Sequence, residues 1–242
     1  MSAAKVALVT GAGHRLGRHI ALGLAERGYD CVVHYHRAKA EAEETARQIR
    51  KRKRNVVLVR ADLAAMDGIA SVVGAVREFT DYLNLLVNNA GVFPNAAFEQ
   101  VTPEIFDYAI HVNVRSAFFL SQQLVPLLRN ARGASIVNIA SAGAYQPWTN
   151  HIPYNISKAG LVMLTRALAK TLAPDIRVNA VAPGVVVVPD EPVRKELSPG
   201  NIPLRRHGLP EDIVKAVLYL AEDACYLTGH VLPVDGGIID IK

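Results

Sequence analysis

Tyr154 and Lys158 stand four residues apart in the segment Tyr-Asn-Ile-Ser-Lys, within a stretch whose apolar pattern predicts a helix. Residues at this spacing project from one helix face, so the lysine ammonium can lie near the tyrosine hydroxyl and favour its ionised form. Free tyrosine titrates near pH ~10 and needs such help to exchange a proton at neutral pH. Ser141, upstream of the tyrosine, follows an apolar run and can hold a substrate oxygen or nitrogen. The same spacing also fits a surface tyrosine, so the rest of the chain must decide.

The chain of 242 residues is 50% hydrophobic and 20% charged, which predicts one packed domain spanning residues 1–242. Its first residues are too few before the first glycine to predict a signal peptide, and no apolar run approaches ~20 residues, so we expect a cytoplasmic protein without membrane contact. Cys31 and Cys225 form neither a metal-ligand spacing nor a disulfide framework. The basic run 50–54 closes a predicted helix, where exposed carbonyls stabilise cations, so no nucleic-acid partner is expected.

Short β-branched segments alternate with amphipathic segments along the chain. The predicted strands cover residues 6–10, 30–35, 56–60, 85–88, 135–139, 177–181 and 230–234, and the predicted helices cover 16–27, 39–52, 69–79, 104–128, 154–172 and 210–221. Such helices suit right-handed crossovers, and nearly all-apolar strands indicate helices on both sheet faces. The predicted fold is therefore α/β, a doubly wound parallel sheet of the Rossmann type in three α/β/α layers. Segment 185–203 contains four prolines and predicts a long loop suited to act as a lid.

A glycine-rich turn, Thr-Gly-Ala-Gly-His-Arg-Leu-Gly, lies between the first predicted strand and the first predicted helix. Backbone amides and the positive end of a helix can receive a pyrophosphate at such a turn. Gly11 permits the tight turn, and Gly17 permits close helix packing. The residues expected beside a bound dinucleotide here are Gly11, His14, Arg15 and Leu16.

The residues after the second strand decide which nucleotide fits, because an acid there binds the adenosine ribose and repels an added phosphate. This chain instead has His34-Tyr35-His36-Arg37 and no acid at the strand end. Arg37 and Arg15 can clasp a phosphate, so the predicted cofactor is NADPH. A metal site at His34 and His36 is set aside because no third ligand is visible, and a position near the phosphate is the simpler role.

Asp62 and Leu63 follow the third predicted strand and are expected beside the adenosine. The Asp62 carboxylate can accept a hydrogen bond from the adenine amino group, or it can cap the next helix. The sequence favours neither role over the other.

With these residues in place, the chain resembles the short-chain dehydrogenase/reductase family from end to end. The resemblance is carried by Thr10-Gly11, Asn88-Asn89-Ala90-Gly91, Asn113, the Ser141, Tyr154 and Lys158 set, Pro183-Gly184 and Asp235-Gly236-Gly237. It implies a seven-stranded Rossmann sheet, a nicotinamide nucleotide, a small-molecule substrate and a homotetramer whose C-terminal region packs against a neighbour.

The resemblance also implies roles for individual residues. Tyr154 would be the acid/base, Lys158 would hold the ribose and lower the tyrosine pKa, and Ser141 would orient the substrate. Asn113 would anchor a water in the proton relay. The cofactor would be lined by Asn89, Ala90, Gly91, Pro183 and Gly184, with Val185 facing the nicotinamide amide. Two positions depart from the family pattern: Arg15 replaces its usual glycine, and Val188 replaces a frequent threonine.

Arg15 and the His-Tyr-His-Arg segment resemble a narrower group, the pteridine reductases. Their phenylalanine after the Asn-Asn-Ala stretch matches Phe93, which would stack a flat heteroaromatic ring against the nicotinamide. The protozoan members have an aspartate where this chain has Ser141, and a serine cannot deliver a proton to a ring nitrogen as a carboxyl can. The first hypothesis is reduction of a dihydropterin or dihydrofolate. The alternatives are a carbonyl reductase, such as a 3-oxoacyl carrier-protein reductase, and an NADPH sensor without turnover.

Overall fold

The computed structural model describes residues 4–188 and 198–240. Its strands form one parallel sheet in the order β3-β2-β1-β4-β5-β6-β7. The strands are β1 (Lys5–Val9), β2 (Tyr29–Tyr35), β3 (Val56–Arg60), β4 (Leu85–Asn88), β5 (Ser135–Ile139), β6 (Arg177–Pro183) and β7 (Val231–Val234). The predicted sheet is confirmed, with most strand bounds within two residues of the prediction.

Helices cover both faces of the sheet. They are α1 (Arg15–Glu26), α2 (Lys39–Lys51), α3 (Met66–Phe79), α4 (Pro103–Ile110), α5 (Ser116–Arg129), α6 (Ile152–Leu172) and α7 (Pro210–Leu218). One core cluster joins the sheet to α3, α5 and α6, and a second joins it to α1, α2 and α7. None of the helices in the described ranges is long and apolar enough to cross a membrane.

Strand β1 illustrates why its sequence fits the middle of such a sheet. Val6 and Leu8 belong to the first core cluster, whereas Ala7 and Val9 belong to the second. Successive side chains of a strand point to opposite faces, so a central strand needs apolar residues at every position. Strand β2 is likewise buried along its whole length.

Two helical segments differ from the prediction. The predicted helix 104–128 is interrupted by a π-helical turn from His111 to Arg115, and α7 continues into another from Tyr219 to Asp223. A π turn fits one extra residue into a helical turn and is often found at functional sites. The apolar period of a long segment does not reveal so local a change. Residues 189–197 of the predicted loop and lid 185–203 lie outside the described residues.

The topology brings the candidate site residues to one edge. The strand order reverses between β1 and β4, and ligands of open α/β sheets bind outside the carboxyl ends of the strands at such a point. Gly11 follows β1, Asp62 follows β3, Asn89 follows β4 and Ser141 follows β5. These segments therefore meet although they are far apart in sequence.

Candidate active site

A cleft of about 810 Å³ opens at the carboxyl edge of the sheet. Most of the residues singled out from the sequence line it: Gly11, His14, Arg15, Leu16, His36, Arg37, Asp62, Leu63, Asn89, Ala90, Gly91, Phe93, Ser141, Tyr154, Lys158, Pro183 and Gly184. Asn113 and Val185 are not part of the lining. The fold therefore assembles one site from nearly all of the predicted residues.

Ser141, Tyr154 and Lys158 converge on the floor of this cleft. The Ser141 hydroxyl accepts a hydrogen bond from the backbone N–H of Gly143 at 3.0 Å and lies close enough to the Tyr154 side chain to lower the tyrosine pKa. The Lys158 ammonium donates to the carbonyl of Ile139 at 2.6 Å and lies 5.7 Å from the centre of the Tyr154 ring. A hydroxyl pair and a cation thus lie together where the sequence predicted proton transfer.

Burial controls the titration of this group. It raises the pKa of Tyr154 to about 12, against the smaller lowering effect of the Ser141 hydrogen bond. It also lowers the pKa of Lys158 to about 8. Removal from water disfavours the phenolate and is the larger effect, so the Tyr154 pKa lies above its ordinary value, and the prediction that Lys158 lowers this pKa stays a prediction. At pH 7 the phenol keeps its proton and the lysine remains mostly charged.

Asn113 lies in the first π turn and braces the catalytic helix. Its Oδ1 accepts from the Val92 N–H at 2.8 Å, and its Nδ2 donates to the Val92 carbonyl at 3.0 Å and to Ser157 Oγ at 2.8 Å. Ser157 in turn donates to the backbone carbonyl of Tyr154 at 2.7 Å. The amide thus connects the segment after β4 to α6, and its part in a water relay stays a prediction.

Four aromatic side chains form a wall at the substrate end, which we call the aromatic wall: Phe93, Trp148, His151 and Tyr154. The Phe93 ring stacks on the His151 ring with centroids 3.8 Å apart and meets the Tyr154 ring edge-on at 4.5 Å. Trp148 lies parallel to Tyr154 at 6.0 Å. The sequence predicted that Phe93 would stack on a substrate, but one face of its ring is covered by His151. Trp148 and His151 were missed because their contacts join two loops distant in sequence.

The glycine-rich turn is held by tight backbone contacts. Gly11 has φ +63°, and a Cβ on Gly17 would lie only 2.2 Å from the Gly11 carbonyl oxygen, so both positions require glycine. Asn89 Nδ2 donates to the carbonyls of Thr10 and Gly11 at 2.8 and 3.2 Å. Thr10 Oγ1 accepts from the backbone N–H groups of Asn89 and Ala90, both at 2.9 Å. Thr10, which the sequence marked only as part of a family motif, therefore connects the glycine-rich turn to the segment after β4.

His34 supports the same turn from below. Its Nδ1 accepts from the Gly11 N–H at 3.0 Å, and its Nε2 lies 3.1 Å from the Ala61 carbonyl, to which it donates in the matching tautomer. The side chain is 2% exposed, and burial lowers its pKa to about 4. His34 is thus a neutral strut between two strand ends rather than the phosphate neighbour that the sequence predicted.

Exposed cations surround the outer end of the cleft. Arg15 and Arg37 are exposed, and Arg15 has φ +52°, a left-handed conformation that costs a non-glycine residue about 1 kcal/mol. Helix α1 begins without a side-chain cap and without an acid in its first turn, which leaves its end suited to an anion. His36 Nε2 lies 3.9 Å from the Asp62 carboxylate. The described part of the chain contains no cluster of three potential metal ligands.

Asp62 lines the cleft beside His36. Its Oδ1 accepts from the Ala64 N–H at 2.9 Å, which closes an Asx turn, whereas the N-cap position of α3 is occupied by Ala65. The predicted helix-cap role is therefore wrong in detail, and the adenine contact stays a prediction. The Arg115 guanidinium, from the π turn, donates to the carbonyl of Ala64 and holds this turn from the other side.

Val185 was predicted to face the nicotinamide, but it does not line the cleft. Its carbonyl accepts from the Gly208 N–H at 2.9 Å, and the Gly208 carbonyl accepts from Val187 at 3.0 Å. The backbone hydrogen-bonding groups on either side of Val186 are thus paired with Gly208, and Val186 and Val188 line the cleft instead. A contact between segments 185–188 and 208 has no signature in the local sequence.

Comparisons with known proteins agree with this geometry. A family model described as enoyl-(acyl carrier protein) reductase matches residues 11–239. The chain is 35% identical over 246 residues to the 3-oxoacyl-(acyl-carrier-protein) reductase FabG of Staphylococcus aureus, covering 98% of this chain and 99% of that one.

Solved structures show the same architecture over the whole chain. The acetoin dehydrogenase of Enterobacter cloacae superposes with a TM-score of 0.92 at 32% identity, covering 100% of this chain and 98% of that one. The angucycline C-6 ketoreductase LanV, solved with bound NADP, gives 0.89 at 32% identity over 97% and 95% of the two chains. None of these proteins is named a pteridine reductase, so they favour the carbonyl alternative over the pterin hypothesis.

Proposed function

Because this chain belongs to the short-chain dehydrogenase/reductase family, we propose that it is an NADPH-dependent reductase that converts a ketone into a secondary alcohol. It is an oxidoreductase by membership, which sets aside the sensor without turnover. The observation that carries the proposal is that Ser141, Tyr154 and Lys158 line the same cleft, with the Lys158 ammonium 5.7 Å from the centre of the Tyr154 ring. The ketoreductase and 3-oxoacyl reductase names of its relatives support the choice of a carbonyl substrate.

The residues of the cleft fit a dinucleotide. The close contact between Gly11 and Gly17 and the uncapped start of α1 form a cradle for the pyrophosphate, and Arg15 and Arg37 would receive the additional phosphate of NADPH. Bound NADPH supplies a hydride. The remaining contacts would come from Asp62 and Leu63 at the adenosine, Asn89, Ala90 and Gly91 along the cleft, and Lys158, Pro183 and Gly184 near the nicotinamide end.

Tyr154 is the proton donor in this proposal. Its pKa, raised to about 12 by burial, keeps the phenol protonated at neutral pH, as a donor to a developing alkoxide requires. Ser141 would hold the substrate oxygen beside that hydroxyl. After transfer, the Ser141 hydrogen bond and the Lys158 charge stabilise the phenolate. Each step therefore uses a group whose position and charge are fixed by the fold.

The substrate class is tested by NADPH oxidation with three probes. We expect an acetoacetyl thioester to be reduced much faster than a crotonyl thioester, which offers only a carbon–carbon double bond, or dihydrobiopterin. Preference for the crotonyl thioester would indicate an enoyl reductase, in keeping with the description of the matching family model. Preference for dihydrobiopterin would restore the pterin hypothesis.

We also propose a homotetramer. Ile156 and Met163 are 45% and 62% exposed and lie seven residues apart, on one face of α6, while Phe118 of α5 is 40% exposed. Large apolar side chains grouped on helices are typical of a surface that another copy covers. Sedimentation at micromolar concentration should give four chains per particle, and Met163→Lys should shift the population toward smaller species. A monomeric wild type would contradict this proposal.

A further inference from the structure

We infer that Gly143 and Trp148 are positioning residues that set the place of the Tyr154 hydroxyl, Gly143 by its lack of a side chain and Trp148 by packing against the ring. This inference rests on the proposed function, because it assumes that Tyr154 donates the proton. No local motif marks either residue, and neither is needed to bind a nucleotide.

Gly143 makes two contacts that converge on the proton donor. Its backbone N–H donates to Ser141 Oγ at 3.0 Å, which fixes the hydroxyl that acts on the Tyr154 pKa. A Cβ at this position would lie 3.1 Å from Tyr154 Cε1 and 2.9 Å from Trp148 Cζ3. Both distances are tighter than ordinary van der Waals contact. The two rings therefore occupy the space that any side chain at position 143 would need.

The backbone gives no other reason for a glycine here. Gly143 is absent from the residues with positive φ, so an alanine can adopt its conformation without strain. It lies in a short 3-10 turn from Ala142 to Ala144 that is capped by Ser141. The steric demand of Tyr154 and Trp148 is thus what excludes a methyl group.

Trp148 lies beside both Gly143 and Tyr154. Its ring is parallel to that of Tyr154 within 7°, with centroids 6.0 Å apart, and Phe93 meets both rings edge-on, at 4.5 Å from Tyr154 and 5.8 Å from Trp148. The phenol ring is therefore confined by neighbours on several sides while its hydroxyl reaches Ser141. Displacement of about 1 Å of a reacting group can cost on the order of a hundredfold in rate.

The first test is a double-mutant cycle at these two positions. Gly143→Ala should lower kcat for an acetoacetyl thioester by about tenfold to a hundredfold, because the methyl displaces the phenol, and should leave the Kd for NADPH within about twofold. Trp148→Ala alone should lower kcat by a smaller factor. The double variant should regain part of the activity lost in Gly143→Ala, since removing the indole relieves the closer of the two contacts and lets the methyl group move away from the Tyr154 ring.

Gly74→Ala is the matched control. A Cβ on Gly74, in α3, would meet nothing within 4 Å, so the same chemical change should leave kcat unaltered. Wild-type activity of Gly143→Ala overturns the inference. So does a double variant no better than Gly143→Ala, or equal loss of NADPH affinity and kcat. If Gly143→Ala does not fold, Trp148→Ala must still lower kcat with the NADPH Kd retained, and unchanged turnover overturns the role of the ring.

Tryptophan fluorescence separates failure of this inference from failure of the proposed function. Trp148 is the single tryptophan of the chain, so its emission reports on this site alone. Gly143→Ala should shift the emission to longer wavelength as the indole is pushed toward solvent, whereas Gly74→Ala should not. A wild type inactive on every ketone with a shifted Gly143→Ala spectrum would refute the function and keep the packing. If the wild type is active on a ketone and Gly143→Ala changes neither the emission spectrum nor kcat, the inference alone is refuted.

Discussion

The two ends of the cleft are built in opposite ways. At the proton-transfer end Ser141 and Lys158 are 5% and 4% exposed, and burial shifts the pKa of both Tyr154 and Lys158. At the phosphate end Arg15 and Arg37 are exposed to solvent. At the proton-transfer end, removal from water disfavours the charged form of each group and shifts its pKa. At the phosphate end, water and salt screen the charges of the arginines. The first end is therefore suited to chemistry and the second to discrimination between nucleotides.

The largest effect is expected at the buried end. Tyr154→Phe removes the hydroxyl that we propose as the proton donor but leaves the ring in the aromatic wall. We expect kcat to fall by about a thousandfold, within the range typical of acid–base groups, with NADPH affinity retained. Steady-state kinetics and a fluorescence titration with NADPH measure the two quantities. Turnover equal to that of the wild type would remove Tyr154 from the mechanism.

His34 is a buried group that lies at the phosphate end of the cleft. It therefore tests whether burial, rather than position in the cleft, determines how strongly a side chain affects stability. Its folded pKa of about 4 lies below the unfolded value, so the unfolded chain binds more protons between these values. The contribution of His34 to the free energy of unfolding is therefore fully present above pH ~6.5. It is lost as the pH falls toward 4, by up to about 3 kcal/mol.

Urea unfolding at several pH values measures this slope. His34→Gln, which keeps an acceptor and a donor, should flatten the dependence of the unfolding free energy on pH over that window. An equal slope in wild type and His34→Gln would refute the assignment.

Arg37→Asp tests the exposed end directly. A carboxylate at this position should repel the additional phosphate and bind the ribose hydroxyl, so the Kd for NADPH should rise about tenfold while NADH approaches parity. Added salt should weaken NADPH binding to the wild type more than to the variant. Arg50→Asp, at the exposed end of α2, makes the same charge change and should preserve the preference for NADPH. If Arg37→Asp keeps that preference too, the arginine does not contact the phosphate.

The smallest effect is expected at Arg15, where function and stability oppose each other. Arg15→Gly should relieve the left-handed strain and raise the unfolding free energy by about 0.5 to 1 kcal/mol, while weakening NADPH binding severalfold. Lys53 has φ +59° outside the cleft, so Lys53→Gly should stabilise the fold without changing NADPH affinity. Chemical denaturation of both variants measures the unfolding free energy, and titration with NADPH measures the Kd. Unchanged affinity in Arg15→Gly would show that strain at this position serves no ligand.

The sequence predicted whatever depends on local pattern. Strand and helix positions follow from apolar periodicity, and the Ser141, Tyr154 and Lys158 set follows from motif spacing. The link between Ser157 and Asn113 and the His34 strut depend on contacts between segments distant in sequence, and the Gly143–Trp148 packing depends on the path of an irregular loop. No local sequence pattern encodes any of these contacts. The pterin hypothesis shows the same limit, since Arg15 and the segment ending at Arg37 line the phosphate end. Residues there bear on the nucleotide and carry little information about the molecule that receives the hydride.

The π turn from His111 to Arg115 has a mechanical consequence. Asn113 reaches the segment after β4 and the catalytic helix, while Arg115, two residues later, holds the carbonyl of Ala64 beside Asp62. In a regular helix, side chains two positions apart point in nearly opposite directions. One widened turn of backbone thus connects the turn at Asp62 with the helix that carries Tyr154, so deleting a single residue from it would displace both supports together.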